Sequence, residues 1–173
     1  YGVFNRANKD YVALPAGYPN LMSSAGGFTI TAWIKTTNSA LPGQRILIDD
    51  QNNTTPGGWG FSVGETDRAG AGGLRFYYRQ GTTLTADTVA IPSNQWLFVA
   101  VSMSLAAGTN ASSATLYAYN TSGVQVTTYT QAFTWTAGSD PGQASIGGET
   151  NASGENSNAF GFSGSIDEVR VYQ

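Results

Sequence analysis

Oxygen-bearing side chains cluster in two segments of this sequence, and their chemistry is that of hard metal ligands. The donors are Asp49, Asp50, Asn52 and Asn53 in the first segment and Glu149 and Asn151 in the second. Calcium prefers carboxylate and amide oxygens of this kind, supplied from loops. The alternative is that these residues only shape turns, because Asn and Asp bond to their own backbone and tolerate left-handed conformations.

A second group of chemically capable residues alternates along one short run. Arg75, Tyr77 and Arg79 alternate with the set Leu74, Phe76 and Tyr78. In a strand these two sets point to opposite faces, which places the apolar set in the core and the Arg–Tyr–Arg row on the other face. Such a row can bond to sugar hydroxyls or carboxylates and stack on a sugar ring, although it can also simply solubilise the sheet.

An aromatic platform could complete this group. Trp59 follows Gly57 and Gly58 and lies close in sequence to the Asp-rich segment. The sequence leaves two roles open for Trp59, a platform for a sugar ring or a residue of the hydrophobic core. We take Trp59, Arg75, Tyr77 and Arg79 as the predicted ligand-binding residues.

The usual catalytic groups are scarce, and the sequence predicts no enzyme. The chain contains no histidine and no cysteine, which removes the commonest general base and the thiolate nucleophile. A retaining glycanase needs two carboxyls about 5–5.5 Å apart, for which alternate positions of one strand are suitable. Glu65 and Asp67 have that spacing but lie in a glycine-flanked turn. Asp167 and Glu168 are neighbours, and a regular strand would point them to opposite faces.

Composition indicates a folded domain without a basic binding surface. Only 11% of the residues are charged, while 40% are hydrophobic and 12% aromatic, which favours a packed core over disorder. The chain has 8 Lys and Arg against 11 Asp and Glu, a net charge of −3. This balance excludes the basic footprint that nucleic acid or an anionic membrane requires. With 173 residues and no apolar run of membrane-spanning length, residues 1–173 are expected to form one domain.

Short strand-like runs separated by Gly, Asn, Ser and Pro clusters predict an all-β sandwich rather than alternating strands and helices. The predicted strands are Val3–Asn5, Tyr11–Leu14, Phe28–Lys35, Arg45–Asp49, Trp59–Val63, Leu74–Gln80, Thr85–Ile91, Trp96–Ser104, Thr115–Asn120, Val124–Phe133, Ala144–Gly147 and Phe160–Tyr172. The run from Trp96 to Met103 is almost continuously apolar, which predicts a central strand covered on both faces.

The last predicted strand changes phase along its length. Ile166 has one parity, whereas Val169 and Val171 have the other. A strand that keeps one face in the core across this change needs a bulge, which we place near Asp167–Glu168. Asp167 is then either a further metal ligand or a hydrogen-bond partner for backbone groups freed by the bulge.

Several of these runs together resemble the laminin G-like, concanavalin A-like lectin superfamily. The segments that carry the resemblance are Phe28-Thr-Ile-Thr-Ala-Trp-Ile-Lys35, Trp96-Leu-Phe-Val-Ala-Val-Ser102, Ala114-Thr-Leu-Tyr-Ala-Tyr119 and, most specifically, Phe160-Gly-Phe-Ser-Gly-Ser-Ile-Asp-Glu-Val-Arg-Val-Tyr172. The resemblance extends from Val3 to Tyr172. It implies a two-sheet antiparallel β-sandwich of the jelly-roll type, in which the first and last strands are adjacent.

The resemblance also implies a function and a ligand set. The strand order is similar to that of the pentraxins, whose calcium loops correspond here to Asp49–Asn53 and Ile146–Asn151. The implied calcium ligands are Asp49, Asp50, Asn52, Glu149 and Asn151. Segments Arg45–Asn52 and Gly73–Arg79 look like modules of bacterial pilus-associated and surface adhesion proteins.

We therefore expect a non-catalytic, calcium-assisted, glycan- or polysaccharide-binding module. It is expected to be secreted, at the cell surface and part of a larger surface protein. The alternatives are a structural or protein-binding spacer of an adhesin, or a binding appendage of a secreted polysaccharide-degrading enzyme.

Overall fold

The computed structural model describes residues 1–15, 21–23, 25–50, 57–65, 72–80, 82–138, 143–149 and 160–173. Within these residues the chain forms twelve strands and one short 3₁₀ helix, Arg6–Asn8. The strands are β1 (Gly2–Phe4), β2 (Val12–Ala13), β3 (Gly26–Thr36), β4 (Gln44–Asp49), β5 (Trp59–Glu65), β6 (Gly73–Gln80), β7 (Thr82–Ala90), β8 (Leu97–Leu105), β9 (Ser112–Asn120), β10 (Gln125–Phe133), β11 (Ser145–Ile146) and β12 (Gly164–Tyr172). The all-β prediction is confirmed.

Two antiparallel sheets of six strands each make up the fold. The first sheet has the order β1-β12-β3-β8-β9-β10, and the second has the order β2-β11-β4-β5-β6-β7. This is the predicted β-sandwich of the jelly-roll type. The predicted adjacency of the chain ends is also confirmed, because Val3 of β1 is opposite Ser165 of β12.

The core lies between the sheets and follows from strand alternation. In β3, Phe28, Ile30, Ala32 and Ile34 are at most 4% exposed, while the residues between them are partly exposed. In the second sheet the buried partners come from alternate positions of β5 and β6: Trp59, Phe61, Val63, Leu74, Phe76 and Tyr78. Fully burying one large apolar side chain contributes about 1.5–3 kcal/mol, so this alternation supplies most of the driving force for folding.

The predicted bulge in β12 is present. Pairing with β3 shifts between Asp167 and Arg170, and Glu168 adopts a left-handed conformation with φ 51°. The shift keeps Ile166 in the core and lets Val169 and Val171 pack against it. Asp167 Oδ1 accepts a hydrogen bond of 3.0 Å from the Glu168 N–H, which is the structural role that the sequence had left open for Asp167.

The prediction that β12 begins at Phe160 is wrong, because the strand begins at Gly164. The segment before it crosses between the sheets. The Phe162 N–H donates to the Gly147 carbonyl beside β11, while the Ser163 carbonyl accepts from the Thr37 N–H beside β3. Phe162 is fully buried at this crossing.

The expectation that the Trp96–Met103 segment is covered on both faces is also wrong. β8 is central in its sheet, as predicted, but Phe98 and the preceding Trp96 are only half-buried. These aromatic rings lie on the face of the first sheet that points away from the core, as does Trp33 of β3. No helix in the described ranges is long and apolar enough to cross a membrane.

Candidate functional site

The face of the second sheet that points away from the core, which we call its outer face, carries charged residues from three neighbouring strands. Arg45 of β4 is opposite Ser62 of β5, which is opposite Arg75 of β6. Because Leu74, Phe76 and Tyr78 occupy the core face, Arg75, Tyr77 and Arg79 are on the outer face, as predicted. We use the name arginine–tyrosine cluster for Arg45, Asp50, Tyr77, Arg79 and Glu149.

Tyr77 is the centre of the arginine–tyrosine cluster. Its ring lies against the backbone of Gly60, where a Cβ atom would be only 2.5 Å from the ring. Glycine is therefore required at position 60 for the ring to approach the sheet. The guanidinium carbons of Arg45 and Arg79 are 5.1 and 5.2 Å from the ring centroid, within range of a cation–π interaction.

Hydrogen-bonded ion pairs hold the arginines in place. Asp50 Oδ2 accepts from Arg79 Nε at 2.7 Å and from the Tyr77 hydroxyl at 2.9 Å. Glu149 Oε2 accepts from Arg45 Nη2 at 3.1 Å and Nε at 3.2 Å. The Asp50 side chain is fully buried and that of Arg79 is 22% exposed, so Arg79 connects the buried part of the cluster to solvent.

Arg75 has a carboxylate partner of its own. Its Nε and Nη2 atoms donate to the two carboxylate oxygens of Asp87 at 2.6 and 3.0 Å. Both side chains are buried, with 6% and 7% exposed. This two-point geometry fixes the guanidinium, so Arg75 supports the outer face as part of a buried ion pair.

The protonation states follow from burial and charge. Burial raises the pKa of Tyr77 well above its usual value, and Asp50 and Glu149 raise it further, against the opposing charge of Arg45. Tyr77 is therefore a neutral phenol that donates to Asp50. Burial also raises the pKa of Glu149, although Arg45 acts in the opposite direction.

One acceptor in the arginine–tyrosine cluster is unsatisfied within the described part of the chain. Asp50 Oδ1 is buried and has no hydrogen-bond partner among the residues that the structure describes. Leaving a buried carboxylate oxygen without a donor costs free energy, so such an atom calls for an external donor such as a ligand hydroxyl or water.

The donors predicted to bind calcium are described only in part by the structure. Asp49 pairs in register with Trp59 of the core face, whereas Asp50 bonds to residues of the outer face. Asp50 and Glu149 are each held by an arginine. No cluster of three or more candidate ligands occurs among the residues that the structure describes. Asn52, Asn53 and Asn151 lie outside the described residues, so the calcium prediction as a whole remains a prediction.

Trp59 does not share the outer face with the Arg–Tyr–Arg row. Its side chain is fully buried and stacks on Phe76 at 6.1 Å between ring centroids. Of the two roles that the sequence left open, the structure gives Trp59 the core one. The sequence reasoning missed the contribution of Arg45, whose partner Glu149 is 104 residues away and gives no local signal.

The fold and the site together define a lectin-like β-sandwich with a charged outer sheet face. A family model described as the concanavalin A-like lectin/glucanases superfamily matches residues 6–173. The chain belongs to this superfamily, as the sequence resemblance had indicated. Comparison with curated protein sequences found no significant match.

Several solved structures share the fold at low sequence identity. The CBM40 module of the Ruminococcus gnavus IT-sialidase, bound to α2,3-sialyllactose, is 20% identical over 87% of this chain and 77% of its own, with a TM-score of 0.57. Bacteriophage CBA120 tailspike protein 2 is 17% identical over 98% of this chain, with a TM-score of 0.57. NanB, solved with Optactamide, is 12% identical over 99%, with a TM-score of 0.63. This chain corresponds to only 24% and 25% of the latter two proteins.

Proposed function

We propose that this chain is a non-catalytic carbohydrate-binding module whose ligand is held at the arginine–tyrosine cluster. Superfamily membership supports the class of function. A similar fold in a CBM40 module bound to sialyllactose supports a glycan as the ligand. The observation that carries the location is the unsatisfied Asp50 Oδ1 beside the bracketed Tyr77 ring.

The cluster offers both kinds of contact that a sugar requires. Arg79 reaches solvent on a side chain that is 22% exposed, and the buried Asp50 Oδ1 can accept a hydrogen bond from a sugar hydroxyl that displaces the groups covering it. A hydrogen bond to a charged group contributes about 1.5–3 kcal/mol. The planar guanidinium also suits a carboxylate, so the proposal covers acidic as well as neutral sugars.

The cluster is better suited to binding than to hydrolysis. A glycosidase needs one carboxylate available as a nucleophile or base and one carboxylic acid as a proton donor. Here Asp50 Oδ2 accepts from two donors and Glu149 Oε2 accepts from Arg45. These hydrogen bonds engage both carboxylates, although burial raises the pKa of Glu149 against the charge of Arg45. Glu65 is in β5 and Asp67 lies outside the described residues.

The sugar contacts proposed here are made by Asp50 and Arg79, and the calcium assistance predicted from the sequence stays part of the proposal, to be tested with chelator. We further propose an extracellular setting within a larger surface protein, either of the adhesion or pilus-associated type or attached to a polysaccharide-degrading enzyme. A spacer without a sugar site is the competing function, and it predicts no glycan binding at all.

The test is a glycan array followed by titration calorimetry, run with calcium and with chelator. Arg79→Gln and Asp50→Asn should each weaken binding of the selected glycan about tenfold or more, which corresponds to about 1.4 kcal/mol. Lys35→Gln, which changes an exposed cation on the first sheet, is the control. Binding that is unaffected by both cluster variants would refute this location, and loss on chelation would restore calcium to the site. Reducing-sugar release that Glu149→Gln abolishes would show an enzyme.

A further inference from the structure

The outer face of the first sheet carries a second group of residues suited to a sugar, and it shares no residue with the arginine–tyrosine cluster. Trp33 of β3 is opposite Phe98 of β8 and also opposite Asp167 of β12. The Trp33 and Phe98 rings are in edge contact at 5.6 Å between centroids. Tyr1 and Trp96 form a second edge contact at 5.8 Å. The face is therefore aromatic, whereas its counterpart on the second sheet is charged.

Three of these rings, those of Trp33, Trp96 and Phe98, line two adjoining depressions. The first, of about 340 Å³, is bounded by Thr31, Trp33, Phe98, Glu168, Arg170 and Tyr172. The second, of about 300 Å³, is bounded by Trp33, Trp96, Thr121, Asp167 and Glu168. Trp33 and Glu168 line both, so they form the ridge between the two. Each volume is at the lower end of the range of small-molecule sites.

The two depressions together form a groove, and the bulge in β12 positions the polar residues at its rim. Asp167, opposite Trp33, faces outward, so in a regular strand Glu168 and Arg170 would point toward the core. The shifted register instead brings Arg170 opposite Thr31 on the outer face. All three side chains are substantially exposed, at 42% for Asp167, 51% for Glu168 and 58% for Arg170.

Glu168 occupies a backbone position that would suit glycine. Its φ of 51° is left-handed, a conformation in which bulges commonly use glycine. A non-glycine residue in this conformation costs free energy, and such residues concentrate at functional sites. The location of Glu168 between the two depressions places its carboxylate where a sugar hydroxyl can donate to it.

Charge balance narrows the ligand class. Glu168 forms an ion pair with Arg170, and Asp167 adds a second carboxylate to the rim. The two carboxylates outnumber the cation Arg170 in the groove, so the groove disfavours an acidic ligand. Aromatic rings stack on the apolar faces of sugar rings, while the carboxylates can accept from their hydroxyls.

We propose that this groove is a second carbohydrate site, and that it binds two consecutive units of a neutral oligosaccharide across the ridge of Trp33 and Glu168. The site stands independently of the one proposed at the arginine–tyrosine cluster, because it lies on the other sheet and differs in chemistry. A module with both sites could hold two chains at once, or two parts of one polysaccharide.

The experiment titrates the protein with neutral cello-, xylo-, manno- and laminari-oligosaccharides of two to six units, by calorimetry and tryptophan fluorescence. We expect at least one series to bind, with a large gain in affinity from one unit to two. Trp33→Ala should weaken that binding tenfold or more. Glu168→Gly should also weaken it, but should leave the melting temperature unchanged or higher, because glycine tolerates the left-handed backbone.

The matched control is Ser104→Ala, on the same face of β8 but outside both depressions, which should bind like the unmodified protein. The proposal is overturned if no neutral series binds, or if the ridge variants bind normally. It is also overturned if their only effect, in sedimentation experiments, is on association with a second copy of the chain. Arg79→Gln, titrated with the same oligosaccharides, reports on the arginine–tyrosine cluster, so the two proposals can fail separately.

Discussion

The two outer faces of this sandwich are built by the same strand alternation but present different chemistry. On the second sheet, Arg45, Asp50 and Tyr77 are no more than 4% exposed, and their charges are matched by hydrogen-bonded partners. On the first sheet, Trp33 and Phe98 are half-buried and line an open groove. The second sheet thus holds a few polar atoms in fixed positions, whereas the first sheet presents accessible aromatic surface.

Charge is concentrated on the second sheet although the whole chain is poor in it. Three of the chain's 8 cationic residues are Arg45, Arg75 and Arg79 on that face, each with a carboxylate partner. Buried pairs of this kind repay their desolvation only with good geometry. Three such pairs on one face indicate that the pairs fix the positions of the arginine side chains more than they stabilise the fold.

The largest expected effect is the difference in stability loss between replacing the core residue Trp59 and replacing the groove residue Trp33. Trp59→Ala should destabilise the protein by about 3–5 kcal/mol, because it leaves a large cavity beside Phe76. For a chain of this size that corresponds to a loss of roughly 10 °C in melting temperature. Trp33→Ala should cost much less, since Trp33 is on the outer face and only partly buried. Calorimetric melting of both variants measures the difference, and equal losses would contradict the assignment of the two residues to core and surface.

A smaller effect should come from breaking one buried ion pair. Arg45→Met leaves Glu149, whose side chain is 13% exposed, without its partner, and should destabilise the protein by about 3 kcal/mol. The double variant Arg45→Met with Glu149→Leu removes both charges and should recover most of that loss. Urea unfolding of the single and double variants gives the coupling energy. A double variant less stable than the single one would show that the pair itself stabilises the fold.

Local patterns were sufficient to predict most of the fold. The alternation in β3 and β6 predicted the core faces, and the parity change between Ile166 and Val169 predicted the bulge. These signals are local because side-chain direction in a strand has a period of two residues. The same rule placed Arg75, Tyr77 and Arg79 together on one face.

The partners of those residues could not be predicted in the same way. Arg45 meets Glu149, and Arg79 meets Asp50, only because distant strands become neighbours in the second sheet. Likewise, a tryptophan is suited both to a core and to a sugar platform, so Trp59 and Trp33 are distinguished by register rather than by residue type. The groove was missed for this reason, since the apolar run around Phe98 looked like a strand covered on both faces.

The smallest expected effect is a loss of stability at alkaline pH, and it tests whether the Tyr77 hydroxyl is as buried as the structure indicates. Its folded pKa is raised, mainly by burial, above the unfolded value of 10.0. Stability from the neutral phenol is therefore fully present below pH 10 and is lost as the pH rises toward the folded pKa. Burial raises the pKa of Tyr78 to about 12, so that residue adds a slope of the same sign. Urea unfolding between pH 9 and pH 11 should show stability falling with pH, and Tyr77→Phe should reduce the slope without removing it. A slope unchanged by Tyr77→Phe would mean that this hydroxyl ionises as freely in the folded chain as in the unfolded one, and the arginine–tyrosine cluster would then be open to water rather than closed around Asp50.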